Sequence, residues 1–213
     1  HMMLKNNIVR NVTSVGISSS GSSPFNVTVL NNTILGTASG INSISFLNAT
    51  IENNTIINTT SNALGLSMSL SIIRGNTVRC AAGVGMSPGG GSSWRTSLIQ
   101  GNSVQNCTAA MDSLGQGLIL NRIIENSFTN VVNGIVFSGT NSINNTLANN
   151  TFSTTSKDIN SSATMNNTLI IYLGDNTIAF YHKLINVTDI DNLYINTRVG
   201  AVNSSAEQSM NES

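Results

Sequence analysis

The chain has 213 residues, enough for one domain with a substantial core, and only 8% of them are charged against about 25% in an ordinary globular protein. Nine basic residues balance nine acidic ones, and Arg10, Arg74, Arg79, Arg95, Arg122 and Arg198 are scattered singly. A nucleic-acid binder, which needs clustered cations to displace counterions, is excluded on that ground. No apolar run approaches the eighteen residues of a membrane-spanning helix.

Residues 1–2, His1 and Met2, read as the remnant of a cleaved expression tag. Beyond them an Asn-x-(Ile/Val/Phe) triplet opens at Asn6, Asn32, Asn54, Asn76, Asn102, Asn126, Asn150 and Asn176, with spacings of 26, 22, 22, 26, 24, 24 and 26 residues. Two positions after each Asn stands Ile8, Ile34, Ile56, Val78, Val104, Phe128, Phe152 or Ile178. Three positions before it stands Met3, Val29, Ile51, Ile73, Ile99, Ile123, Leu147 or Leu173. The residue after the Asn is Asn7, then Thr33, Thr55, Thr77, Ser103, Ser127, Thr151 and Thr177. Strand side chains alternate in direction, so the two apolar columns are predicted to face a core and the hydroxyl column to face solvent. The Asn itself is predicted at a turn, where it tolerates left-handed backbone and its amide can bond its counterpart one coil away.

A second landmark, Gly followed by an apolar residue, recurs about ten residues later at Gly16-Ile17, Gly40-Ile41, Gly65-Leu66, Gly83-Val84 and Gly134-Ile135, and marks the next corner and strand. The period of 22 to 26 residues with short strands and Asn or Gly corners predicts a parallel β-helix; leucine-rich repeats would show fixed leucines and a helical segment, and helical repeats run longer.

Along the chain, Glu52, Arg74 and Gln100 fall two residues before the repeat Asn on three consecutive coils, with Arg79 and Gln105 three residues after it. One reading is an outward polar strip that hydrogen-bonds sugar hydroxyls; the other is a Glu52–Arg74 surface pair worth about 0.2–1 kcal/mol. Cys80 and Cys107 come almost into register on adjacent coils, which allows a disulfide or two buried thiols. Residues 87–96 interrupt the fourth coil as a loop carrying the one tryptophan, Trp94, beside Arg95; the ring either stacks on a ligand or folds back over the sheet. Residues 18–25 form a similar Ser/Gly loop on the same side. Asn-x-Ser/Thr sequons, among them Asn11, Asn26, Asn48, Asn106 and Asn186, fit a glycosylated extracellular or cell-surface location. After Asn176 bulkier residues, Phe180, Tyr181, His182 and Lys183, suggest a C-terminal cap over residues 181–202, and residues 203–213 a frayed tail or linker.

These landmarks resemble the right-handed parallel β-helix repeats of the pectin-lyase-like superfamily, over residues 3–180. The resemblance implies an all-β, right-handed parallel β-helix solenoid of about eight coils with a C-terminal cap. It leaves function open, since the superfamily includes polysaccharide lyases, glycoside hydrolases, epimerases, tailspikes, copper-delivery proteins and adhesins. The Asn/Thr-rich, charge-poor style is most similar to microbial, particularly archaeal, adhesin-like surface proteins. Enzymes on this fold need clustered carboxylates, whereas Glu52, Asp112, Glu125, Asp158 and Asp175 occupy different registers; Glu52 and Glu125 stand three coils, about 14 Å, apart. The expectation is therefore a non-catalytic module that binds a glycan or a partner surface, with no catalytic residues, no cofactor and no metal site. A carbohydrate-active enzyme and a structural spike or stalk are the competing readings.

Overall fold

The structure, a computed structural model, describes residues 1–19, 25–89, 93–138, 142–161, 165–166, 169–172 and 193–196. Every strand pairing among the described residues is parallel, and the chain winds as a right-handed parallel β-solenoid, with no helix among the described residues. One sheet stacks nine strands in chain order: Met2–Lys5, Val27–Leu30, Thr50–Glu52, Ile72–Arg74, Leu98–Gln100, Arg122–Ile124, Thr146–Ala148, Leu169–Tyr172 and Leu193–Asn196. A second face stacks Ile8–Arg10, Thr33–Leu35, Thr55–Thr59, Thr77–Cys80 and Ser103–Gln105, continued by the opening residues of Ser127–Phe137 and Thr151–Ser161. The later residues of those two long strands join a third face with Val15–Ser19, Ser39–Leu47, Leu64–Ser69, Val84–Ser87 and Ala109–Asp112.

The coil count and the cap both depart from expectation. The described residues make about six turns against the eight Asn landmarks; nine described strands stack in the first sheet, and the ninth lies in the stretch expected as a cap. Leu193–Asn196 pairs in parallel with Leu169–Tyr172, so it extends the ladder rather than covering its end. The remainder of 181–202 and residues 203–213 lie outside the described residues.

Burial follows the predicted columns from the second coil onward. Val29, Ile51, Ile73, Ile99 and Ile123 are fully buried on the first sheet, and Ile34, Ile56, Val78, Val104 and Phe128 on the second. The first coil is a correction. Val9, not Ile8, pairs with Ile34, and Leu4, not Met3, pairs with Val29. A slip of one residue turns every side chain to the opposite face, which is why Ile8 and Met3 are exposed at 62% and 55%.

The third face fixes the interior's narrow dimension. The register places Gly16, Gly40, Ala63, Gly85, Ala110 and Gly134 in one column, so Ala63-Leu64 and Gly85-Met86 take the positions assigned to Gly65-Leu66 and Gly83-Val84. A Cβ on Gly40 would lie 2.5 Å from Ile56 Cγ2 and 2.5 Å from the Ala63 carbonyl. Small residues on this face therefore complement the large residues of the second sheet, and the jigsaw is repeated coil after coil.

Candidate functional site

Most corners from the second coil on are built alike, a residue with left-handed backbone followed by a buried one. At the corner between the first and second sheets the left-handed residues are Asn6, Asn31, Asn53, Gly75, Gly101, Glu125 and Asn149, with φ from 53° to 62°. From the second coil on, the repeat residues Asn32, Asn54, Asn76, Asn102, Asn126 and Asn150 are the buried residues after them, so it is the preceding residue that takes the left-handed turn expected of the Asn, which Asn6 alone takes itself. The buried amides form a continuous ladder. Asn32 donates from both its backbone N–H and Nδ2 to Asn54 Oδ1 (2.9 and 3.0 Å), Asn54 does the same to Asn76 (2.9 and 2.9 Å), and Asn102 to Asn126 (3.0 and 2.9 Å). The second Nδ2 hydrogen reaches a carbonyl of the preceding coil, as from Asn76 to Ile51 O at 2.9 Å. Every polar atom of these buried side chains is thereby used. The ladder begins at Asn7, which donates to Asn32, and not at Asn6.

The corner that enters the first sheet carries a second internal ladder that the sequence reading missed: Ala49 N–H donates to Ser71 Oγ, Ser71 N–H to Ser97 Oγ, Ser97 N–H to Asn121 Oδ1 and Asn121 N–H to Asn145 Oδ1, at 3.0–3.2 Å. Its signal was present as the aligned polar residues Ser71, Ser97, Asn121 and Asn145, each five positions before a repeat Asn. The exposed left-handed positions here are Asn26, Asn48, Leu70, Thr96, Leu120 and Asn144. At the remaining corner the left-handed residues are Asn11, Gly36, Asn58, Asn106 and Asn130, all exposed except the half-buried Gly36. The sequon residues Asn11, Asn26, Asn48 and Asn106 thus share one environment, exposed corners with φ of 54° to 58°. Asn48 Nδ2 donates to Asn26 Oδ1 (2.6 Å) and Asn130 Nδ2 to Asn106 Oδ1 (2.9 Å). Asn186 lies outside the described residues.

Cys80 and Cys107 are joined by a disulfide with Cα atoms 5.0 Å apart. It sits in the buried column of the third corner, under Thr37 and Thr59. The coil that starts at Thr77 has no left-handed residue where its neighbours place Asn58 and Asn106, and its register shifts between Arg79 and Cys80. That shift brings two cysteines offset by one residue in sequence into contact.

The polar residues picked out for binding are distributed differently from expectation. Glu52, Arg74 and Gln100 lie on the outer face of the first sheet, while Arg79 and Gln105 lie on the second sheet with the Thr/Ser column; the Asn corner separates them, so the five do not form one strip. Arg74 Nη2 is 2.8 Å from Glu52 Oε1, and Gln100 Nε2 donates to Glu125 Oε2 at 2.7 Å. The first-sheet polar groups therefore satisfy one another. Trp94 is a correction: its side chain is fully buried and its indole N–H donates to the Leu66 carbonyl, so the ring is a core residue with no face for a ligand. Trp94–Arg95 is a strand pairing with Leu118–Ile119, which turns Trp94 inward and leaves its neighbour Arg95 exposed.

The outer face of the second sheet is the most regular polar surface. Thr33, Thr55, Thr77, Ser103, Ser127 and Thr151 stand in register on six successive coils, a row about 24 Å long, with Leu35, Ile57, Arg79, Gln105, Thr129 and Ser153 beside them. None of the described carboxylates projects from this face: Glu52 and Glu125 belong to the first sheet and its corner, and Asp112 and Asp158 to the third face.

The model of a protein family described as "Periplasmic copper-binding protein (NosD)" matches residues 1–134. The chain belongs to the NosD family. No curated protein and no solved structure matches it. The donor chemistry of this NosD-family chain does not fit a copper site among the described residues. Both cysteines are bridged, Met68, Met86 and Met111 are packed in the core, and no three His, Cys, Asp or Glu side chains converge. His182, Asp189 and Asp191 lie outside the described residues. No helix among the described residues is long and apolar enough to cross a membrane.

Proposed function

We propose that this NosD-family solenoid is a non-catalytic, extracytoplasmic, adhesin-like module that binds glycan chains on the outer face of its second sheet. The observation that carries this reading is the row of six hydroxyls flanked by Arg79 and Gln105. Hydroxyls and amides at a fixed repeat complement the hydroxyls of an extended sugar chain lying along the solenoid axis, Leu35 and Ile57 give its C–H faces an apolar rest, and Arg79 supplies a charge-assisted donor. The Cys80–Cys107 bridge and the periplasmic description of the family both favour a location outside the cytoplasm, whether secreted or on the cell surface. The exposed sequon residues Asn11, Asn26, Asn48 and Asn106 are available there for glycosylation.

A glycan and polysaccharide array on the intact chain, read together with turnover of the same ligands, tests the proposal. Binding without turnover is expected, weakened about tenfold, or about 1.4 kcal/mol, by Arg79→Ala or Gln105→Ala and unchanged by Arg95→Ala. Turnover would make the chain a carbohydrate-active enzyme and return attention to the carboxylates. A second reading, copper carriage, is favoured by the family's description alone. A chelator-competition titration with Cu(I) and Cu(II) separates it, since tight stoichiometric uptake with no glycan bound would replace the glycan reading.

A further inference from the structure

Two leucines occupy a position that neighbouring coils give to asparagine. Leu70 and Leu120 turn the corner into the first sheet at φ 52° and 57°, where Asn26, Asn48 and Asn144 stand in the equivalent places and Thr96, at φ 50°, stands on the coil between the two leucines. Left-handed backbone disfavours a side chain with Cβ, Asn tolerates it through local hydrogen bonding, and Leu gains nothing there from the backbone. Both leucines are also more than half exposed, at 57% and 51%. Neither feature stabilises an isolated solenoid, and strain retained at an exposed apolar position points to a contact. Beside them, on the outer face of the first sheet, Ile72, Leu98 and Ile124 are half-buried while their neighbours Ile73, Ile99 and Ile123 fill the core. The five apolar residues spread over three consecutive rungs of this face, interleaved with Thr96, Arg74, Gln100 and Arg122, and Glu52 and Glu125 stand at its edge.

We infer that this patch is the docking surface for a second copy of the same chain, related by a two-fold axis that runs along the strand direction at the rung of Leu98. The arrangement of the rungs matches itself under that operation. Leu70 lies one rung to one side of Leu98 and Leu120 one rung to the other, in the same corner column, so Leu70 meets Leu120 of the second copy and Leu98 meets its own counterpart. Arg74 is brought opposite Ile124 and Glu125 of the second copy, and Arg122 lays its aliphatic stem over Ile72. Arg74, Arg122, Glu52 and Glu125 give two charges of each sign, so apposition brings no net repulsion, and an isologous contact needs this kind of self-complementarity whereas an unrelated partner does not. The dimer goes beyond the glycan reading: it uses a different sheet, leaves the hydroxyl row of each copy free, and gives a bivalent particle.

Sedimentation velocity on the intact chain over a hundredfold range of concentration, alongside the Leu70→Asn/Leu120→Asn variant, tests this. The unaltered chain is expected to pass from monomer to dimer, and the variant to stay monomeric at concentrations at least tenfold higher, with a melting temperature no lower because Asn already serves this corner elsewhere. In addition, Leu98→Cys chains are expected to form a disulfide-linked dimer under mild oxidation. A monomer at every concentration, undiminished dimerisation of the double variant, or failure of Leu98→Cys chains to crosslink would overturn the proposal.

Discussion

Asn76 shows how one side chain supports three coils. Its Oδ1 accepts from the backbone N–H and Nδ2 of Asn54, and its own Nδ2 donates to Asn102 and to the Ile51 carbonyl, all at 2.9–3.0 Å and in a buried setting. Asn76→Ala leaves two donors of Asn54 without an acceptor, and an unsatisfied buried group costs about 1–3 kcal/mol. The variant is therefore expected to lose about 2–3 kcal/mol by urea denaturation; Asn31→Ala, at an exposed corner, removes no ladder bond and serves as the comparison. Asn, Ser and Thr thus have three separate uses that composition alone merges: buried ladders, left-handed corners and an outward hydroxyl row. The sequence made the first and third legible because each recurs at a fixed offset from the landmark. It did not distinguish a buried Asn from the corner residue before it, because Asn suits both environments.

The strands are short, and their stability comes from registration rather than from length. Ile34, Ile56, Val104 and Phe152 project toward the Gly/Ala column of the third face, where there is no room for a branched side chain. Gly40→Val is expected to cost about 1–3 kcal/mol by overpacking, read as a shift in denaturation midpoint without change in slope. This element was only half readable. Glycine marked the close approach at Gly16, Gly40 and Gly134, but alanine fills the same column at Ala63 and Ala110, and a search for Gly alone slid the register at Gly65 and Gly83. The segment around Trp94 failed for a related reason. Its run of Ser, Pro and Gly predicts a loop, yet the loop's end already belongs to the next strand, whose alternation turns the indole inward and Arg95 outward.

For the whole molecule, the Cys80–Cys107 bridge fastens two coils at a corner where the coil of Thr77–Cys80 lacks its left-handed residue. In the chain-entropy picture a cross-link over a separation of 27 residues contributes about 3.5 kcal/mol. Reduction, or Cys80→Ala/Cys107→Ala, is accordingly expected to lower the melting temperature while the β-sheet circular dichroism at low temperature is retained; an unchanged melt would show that the corner holds without the bridge. The sequence by itself determined the solenoid, its period, the inward and outward columns from the second coil onward and the scarcity of carboxylate pairs, because in a stacked coil a fixed sequence offset becomes a fixed place in space. Only the tertiary structure decided which polar residues share a face. Arg74 and Arg79 are five residues apart, but a corner stands between them and sends one to each sheet, whereas Leu70 and Leu120, fifty residues apart, are two rungs apart on one edge. Offsets along the chain count residues, and faces depend on where the backbone turns.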